Sequence, residues 1–148
     1  MNRKKILFAT DFSDLSQAAL AYATTLAQHD GATLFIVHVI EPPPTSAASE
    51  LYMAVPMESE EDAEGILRAV VPSSKDVPVE HKLLRGNPAD EIVRLADEEG
   101  CDLIVLATHG RTGLLRLVMG SVAEAVVRRA RCPVLTVKHP TTVTFDAP

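Results

Sequence analysis

Apolar residues fall into two kinds of pattern along this chain. Short continuous runs of branched apolar residues, such as 101–106 (CDLIVL), are typical of parallel strands that are covered on both faces. Between these runs, apolar residues recur with the i, i+3, i+4 spacing of amphipathic helices. The alternation predicts an α/β domain with a parallel sheet. Strands are expected at 5–10, 33–40, 77–84, 101–106 and 134–137.

Capping residues and glycines mark the expected helices. The first helix covers about 14–29 and ends at Gly31. A second begins in the acidic run 58–64, whose carboxylates we interpret as a solvated face and not as metal ligands. In the third, Asn87 is the N-cap and Gly100 ends the helix. The expected buried faces are Leu15, Ala18, Ala19, Tyr22 and Leu26 on the first helix, and Ala63, Ile66, Leu67 and Val70 on the second.

Two segments have the composition of irregular structure. Residues 41–57 are rich in Pro, Ser and Ala, and both a lid and a loosely held excursion are compatible with them. Residues 139–148 are interpreted as a loose tail, so the core of a single domain over 1–148 is expected at about 4–138. The alternation in 77–84 is typical of a partly exposed edge strand.

The most informative segment joins the fourth strand to the last helix. It reads Ala107-Thr108-His109-Gly110, then nine residues, then Gly120-Ser121-Val122-Ala123-Glu124. Ser121 and Glu124 fit the capping box S-x-x-E, which predicts a helix that begins at the serine. The first N–H groups of a helix lack partners within it and lie at the positive end of its dipole, and Gly120 permits close approach. The segment therefore predicts an anion site suited to phosphate, and the simpler alternative is a capped helix without a ligand.

Composition limits the classes of function. A length of 148 residues fits one domain, and a formal net charge of −6 disfavours nucleic acid and anionic membranes as partners. No apolar run approaches the ~18 residues of a membrane span. Asp11 comes too early for the apolar region of a signal peptide, so we expect a cytoplasmic protein. Cys101 and Cys132 lack zinc or CxxC spacing and are expected to be buried, reduced thiols; no metal site is predicted.

Three stretches together resemble the universal stress protein family: KKILFATDFSDLSQAAL, RGNPADEIVRLADEEGCDLIVLATHG and ATHGRTGLLRLVMGSVAEAVVRRARCPVLTVK. The resemblance extends from Lys4 to about Lys138. Members that bind ATP share a G-x2-G-x9-G-S/T loop, whereas this chain has A-x2-G-x9-G-S, with Ala107 at the first position. The extra methyl group would crowd a nucleotide if that backbone had a positive φ.

The resemblance implies an open five-stranded parallel sheet of order 3-2-1-4-5 with helices on both faces, a Rossmann-like fold related to the adenine nucleotide alpha hydrolases. Ligands of such sheets bind beyond the carboxyl ends of the strands where the order reverses. ATP, or AMP or ADP, would bind there, with Mg²⁺ held through the phosphates. Adenine would lie near Thr10, Asp11 and Val39. The residues implied to bind nucleotide are Ala9, Thr10, Asp11, Val39, Leu106, Ala107, His109, Gly110, Arg111, Gly113, Gly120, Ser121 and Val122.

Several polar residues also have simpler interpretations. Asp11 either serves the nucleotide or has a local structural role, as a helix N-cap or as a hydrogen-bond acceptor that fixes the turn. His109 could contact phosphate or act as a general base, but we favour ordinary loop polarity. His38 is interpreted as a packed strand residue. Arg128, Arg129 and Arg131 could face phosphate, although complementing a helix dipole is the favoured role.

Three functions are compatible with the sequence. The favoured one is an ATP-binding stress-response module that is not an enzyme. Its nucleotide occupancy would alter the contacts between the two protomers of a homodimer or with a regulatory protein partner. Slow hydrolysis or self-phosphorylation would be a side activity. The second is a dimeric stress protein that does not bind nucleotide, an alternative that Ala107 supports. The third is an ATP-using enzyme, but neither a G-x4-G-K-S/T loop nor a kinase glycine loop occurs and no catalytic residue is assigned.

The homodimer is expected through the last strand, residues 133–138, from Pro133 to Lys138. Its PVLTV run is apolar, and by the family order it lies at the edge of the sheet. An unprotected apolar edge invites pairing, and two copies that meet antiparallel would close with two-fold symmetry. The alternative is a monomer whose tail covers the edge.

Overall fold

Strands and helices alternate in the computed structural model, which describes residues 3–42, 59–109 and 119–138. The strands are β1 (Lys5–Ala9), β2 (Thr33–Ile40), β3 (Val79–Arg85), β4 (Leu103–Ala107) and β5 (Val134–Val137). The helices are α1 (Asp14–Asp30), α2 (Glu60–Ala69), α3 (Pro88–Glu99) and α4 (Ser121–Arg129). The loop expected at 41–57 and the tail expected at 139–148 lie, apart from residues 41 and 42, outside the described residues.

The five strands form one parallel sheet in the order β3-β2-β1-β4-β5. This confirms the fold class and strand order implied by the resemblance. β1 lies at the centre, with Phe8 paired to Ile36 of β2 and to Val105 of β4. β3 and β5 are the two edge strands, as predicted.

Helices cover both faces of the sheet and create two separate cores. Leu7 of β1 packs in one core with residues of α3 and α4, whereas Ile6 and Phe8 pack in the other with residues of α1 and α2. Neighbouring residues of a strand point to opposite faces. Apolar residues are therefore required at consecutive positions of a strand that is buried on both sides, and this explains the continuous runs.

The predicted ends of the helices are mostly confirmed. Gly31 and Gly100 adopt left-handed conformations, with φ of 65° and 66°, at the carboxyl ends of α1 and α3. The Asn87 side chain accepts a hydrogen bond from the Asp90 N–H at 3.0 Å, as a cap of α3 should. α2 begins at Glu60 behind a Ser59 cap, two residues later than the start of the acidic run.

Two predicted buried faces are wrong in part. Tyr22 is 58% exposed, and the residues of α1 that face the sheet are Ser16, Ala19, Ala23, Thr24 and Ala27. Ile66 is 50% exposed, whereas Ala63 and Leu67 are the buried residues of α2. The sequence interpretation favoured large apolar side chains, but the stripe of small residues faces the sheet on α1.

The cysteines are free, and Cys101 is buried while Cys132 is half-buried. Burial raises the pKa of the Cys101 thiol to about 12, and it also raises the pKa of Cys132. Both are therefore neutral thiols near pH 7, and the expected burial is confirmed for Cys101 but not for Cys132.

The three arginines near the end of α4 pair with carboxylates. Arg128 contacts Glu124 one turn earlier, and Arg129 contacts Asp90 on α3. Arg131 lies 3.9 Å from Asp97. Arg128 and Arg129 occupy the last turn, which fits the favoured interpretation of their charge.

Candidate functional site

The strand order reverses between β1 and β4, because β2 follows β1 on one side while β4 lies on the other. Both strands are parallel, so their carboxyl ends meet at the same edge of the sheet. Val39 and Leu106 are buried in the same apolar cluster, and Ala9 and Val122 pack against it. The structure thus brings together residues from β1, β2, β4 and α4 that the sequence placed far apart.

The turn from β1 to α1 is held by side-chain hydrogen bonds. Asp11 Oδ1 accepts from the Ser13 N–H at 3.0 Å and from the Ser16 hydroxyl at 2.7 Å. Ser13, not Asp11, is the N-cap of α1, since its hydroxyl oxygen accepts from the Ser16 N–H at 3.2 Å. Asp11 therefore fixes the turn, which was one of the two roles expected for it.

The ends of the segment between β4 and α4 meet directly. The Gly120 N–H donates to the Thr108 carbonyl oxygen at 2.6 Å. Thr108 is itself buried, and its N–H donates to the Val137 carbonyl of β5 at 3.0 Å. The first residue beyond β4 therefore holds the amino end of α4 against the carboxyl edge of the sheet.

His109 follows immediately and is half-buried. Its Nδ1 lies 3.0 Å from the Thr108 hydroxyl. This contact orients the imidazole.

The predicted capping box at the start of α4 is wrong. The N-cap is Gly120, and Ser121 is the first residue of the helix. Gly120 has no side chain with which to cap the helix, and the Glu124 carboxylate pairs with Arg128. The helix does begin at Ser121, as predicted, but a serine within the helix cannot serve as its own N-cap. The N-cap of α4 therefore lacks the side-chain acceptor that the N-cap residues of the other described helices provide.

The backbone of Ala107 does not have the positive φ at which its methyl group would crowd a nucleotide. Ala107 is the last residue of β4, paired with Val137. Among the described residues, Phe12 alone has a positive φ without being glycine. Extended backbone accepts alanine without strain, so this departure from the loop pattern is compatible with the same conformation.

Gly110, Arg111 and Gly113 lie outside the described residues. The sequence interpretation did not assign a role to Thr108. Nothing in the sequence indicates that this threonine is buried or that its carbonyl oxygen accepts from the Gly120 N–H. His38 was interpreted as packed, and it is 5% exposed.

Comparison with known proteins agrees with this arrangement. The family model described as the universal stress protein family matches residues 2–138. The chain belongs to the universal stress protein family. It is 35% identical to Universal stress protein MJ0531 of Methanocaldococcus jannaschii, over 93% of this chain and 83% of that protein. It is also 39% identical to a universal stress protein of Thermus aquaticus, over 91% and 98% of the two chains.

Solved structures of universal stress proteins have the same fold. The structure of protein MJ0577 superposes with a TM-score of 0.71 at 30% identity, covering 94% of this chain and 98% of that one. Two further structures of universal stress proteins, each at 27% identity and a TM-score of 0.59, contain nucleotides. One is a complex with cAMP, and the other, from Archaeoglobus fulgidus, is a complex with dAMP; both alignments cover 93% of this chain and 98% of the other.

Two features are absent from the described residues. No helix there is long and apolar enough to cross a membrane. Within the same residues, no group of three or more His, Cys, Asp and Glu side chains is arranged to hold a metal ion.

Proposed function

We propose that this universal stress protein is a regulatory module that binds an adenine nucleotide where β1 and β4 diverge. The observation that carries the proposal is the Gly120 N–H to Thr108 carbonyl contact, which holds a helix start without a side-chain cap at the carboxyl edge of the sheet. A phosphate can occupy the position that a capping side chain would otherwise take. The relatives solved with cAMP and dAMP support an adenine nucleotide as the ligand.

The proposed contacts follow from the positions of the described residues. We assign the apolar contacts with adenine and ribose to Val39, Ala9 and Leu106, which lie in one apolar cluster at the ends of their strands, beside the backbone of Thr10 and Asp11. At the other end, the N–H groups of Ser121 and Val122 and the Ser121 hydroxyl receive the phosphates. The Gly120 N–H already donates to the Thr108 carbonyl oxygen, so we assign Gly120 a positioning role and no phosphate contact through its N–H.

Other contacts come from the loop before α4. We assign phosphate contacts to His109, Gly110, Arg111 and Gly113, and a ribose contact to Ala107. These residues fit a polyphosphate because they combine N–H donors with positive charge. With ATP, Mg²⁺ would bind chiefly through the phosphates, since Mg²⁺ usually takes few protein ligands there.

We assign a regulatory role to nucleotide binding and no catalytic residue. The nucleotide-independent alternative rested on Ala107, and the strand backbone at that residue removes its support. The module acts in the cytoplasm as a homodimer through residues 133–138, and occupancy of the site alters contacts at that interface or with a regulatory protein partner. β5 lies at the sheet edge with Val134, Leu135 and Thr136 only half-buried, which supports this interface.

Titration calorimetry with ATP, ADP and AMP, with and without magnesium, tests the proposal. We expect micromolar dissociation constants, and a ligand at ~100 times that constant stabilises the fold by ~2.7 kcal/mol. Absence of both heat and thermal stabilisation at millimolar nucleotide would refute it. Chromatography of the nucleotide after incubation reports any slow hydrolysis.

A pair of matched glycine variants locates the phosphate. Gly120 has φ −61° and ψ 156°, a conformation open to valine, so Gly120→Val should fold and yet obstruct the phosphate. Gly65→Val is the control, because Gly65 is in α2 and a Cβ there meets nothing within 4 Å. We expect at least a tenfold loss of affinity, about 1.4 kcal/mol, in the first variant and none in the second. Equal affinities would place the phosphate elsewhere.

A further inference from the structure

His38 is a buried imidazole that the proposed nucleotide contacts do not use. It lies on β2, next to Val39, and is 5% exposed. Its Nδ1 is 2.8 Å from the carbonyl oxygen of Thr10 at the end of β1. A carbonyl oxygen can only accept, so Nδ1 carries the proton and donates. The side chain therefore ties β2 to the residue at which the β1–α1 turn begins.

Phe12 stacks on the same imidazole. The two ring centroids are 4.1 Å apart with an angle of 30° between the planes. Phe12 has a φ of 70°, a left-handed conformation that an aromatic residue rarely adopts. Such strain persists only where the surroundings fix the conformation, and it is frequent at binding sites. The imidazole forms part of those surroundings.

Thr10 is held by hydrogen bonds at three atoms. Its N–H donates to the Val37 carbonyl at 2.8 Å, and its carbonyl oxygen accepts from His38. Its hydroxyl oxygen accepts from the Phe12 N–H at 3.0 Å. These contacts define the path of the backbone through Asp11, which the proposed site presents to the base.

We propose that His38 is a positioning residue of the nucleotide site. It holds the strained turn of Thr10, Asp11 and Phe12 in the conformation that receives the adenine end of the ligand. This inference rests on the proposed function, and it assigns to His38 no contact with the nucleotide.

Two substitutions separate the hydrogen bond from mere packing. His38→Leu removes the donor, whereas His38→Asn retains one, since the Asn amide nitrogen is as many bonds from Cα as Nδ1 is. We expect His38→Leu to weaken AMP and adenosine binding by the same factor, about tenfold or more. The two ligands should lose affinity by the same factor because they differ only in the phosphate, which the proposed site binds at α4 and not at the turn that His38 holds. His38→Asn should remain within about threefold of the unmodified protein.

His81 supplies a matched control. It lies on the edge strand β3, which β2 separates from β1, and its Nε2 is 2.8 Å from a backbone carbonyl, that of Val70. His81→Leu should lower the stability to urea, as His38→Leu does, and should leave AMP affinity unchanged. If both leucine variants bind AMP like the unmodified chain, or if His38→Asn is as weak as His38→Leu, the positioning role is overturned.

The outcomes distinguish this inference from the proposed function. Failure of the unmodified chain to bind AMP overturns both, whereas normal binding by His38→Leu overturns only the role of His38. If His38→Leu does not fold, Phe12→Leu decides, because it removes the stack and leaves the backbone donors and acceptors in place. An affinity several-fold lower is expected for Phe12→Leu, and an unchanged affinity overturns the inference.

Discussion

The edge strand β5 offers its backbone groups alternately to β4 and to solvent. The Ile104 N–H donates to the Pro133 carbonyl, and the Thr108 N–H donates to the Val137 carbonyl. With Ile104 opposite Val134, this ladder directs the N–H groups of Leu135 and Val137 towards β4. The N–H and C=O groups of Val134 and Thr136 therefore face away from the sheet, where a second copy would pair.

Thr136→Pro consequently tests the proposed dimer. Proline removes one outward donor per protomer, and two-fold symmetry makes that two hydrogen bonds per dimer. At about 1 kcal/mol net for each bond, the dimer should weaken by about 2 kcal/mol, a ~30-fold rise in its dissociation constant. Proline is tolerated on an edge strand when its nitrogen faces solvent, so the protomer should remain folded.

Sedimentation equilibrium over a range of concentrations measures this change, with circular dichroism to verify the fold. Thr136→Ala is the matched control and should dimerise normally, since it retains the N–H. Leu135→Pro is the contrasting variant, because its N–H is bonded within the sheet, and it should destabilise the protomer itself. The proposed dimer through β5 is refuted if Thr136→Pro dimerises like Thr136→Ala, or if the unmodified protein is monomeric at tens of micromolar.

Two further predictions concern Ala107 and the cysteines. Ala107→Gly should bind nucleotide with an affinity close to that of the unmodified protein, because Ala107 is in strand conformation. The variant should lose about 0.5–1 kcal/mol of stability to urea. A large gain in affinity by calorimetry would show that the methyl group obstructs the ligand. The pKa of Cys101 is raised from 9.0 to about 12, so the folded state retains a proton that the unfolded chain loses, and stability should fall as the pH rises from 9 towards 12. Urea unfolding at several pH values should show a shallower decline in Cys101→Ala, and an identical decline would contradict burial of this thiol as the cause.

The secondary structure was largely predictable because its signals are local. Asn87 and Gly100 define the ends of α3 through side-chain and backbone geometry that acts within a few residues. The strands were recognisable as apolar runs, whereas their order came from the family resemblance. The face of α1 was less predictable: Ala19 was assigned correctly, but Ala23 and Ala27, which are also buried, carry little hydrophobic signal. Tyr22 carries a strong signal and lies outside.

The candidate site was predictable in outline but not in its supporting contacts. Residues such as Val39 and Leu106 could be assigned to one site once the strand order was known. The left-handed Phe12 could not, since no residue type announces a strained φ that neighbouring groups enforce. The contact between Thr108 and Gly120 spans a segment whose length alone does not fix where its ends meet.

The incorrect capping box strengthens the argument for an anion at α4. Had Ser121 been the N-cap, its hydroxyl oxygen would have accepted from an N–H of the first turn and competed with a ligand for that donor. With glycine at the cap, the helix start has no side-chain acceptor of its own, unlike α1, α2 and α3, which are capped by Ser13, Ser59 and Asn87. Because Ser121 is displaced by one residue into the first turn, its hydroxyl becomes a further group that can bind a phosphate. In the proposed site the glycine and the serine have complementary roles, since the glycine leaves the capping position to the phosphate and the serine hydroxyl adds a further hydrogen-bonding group.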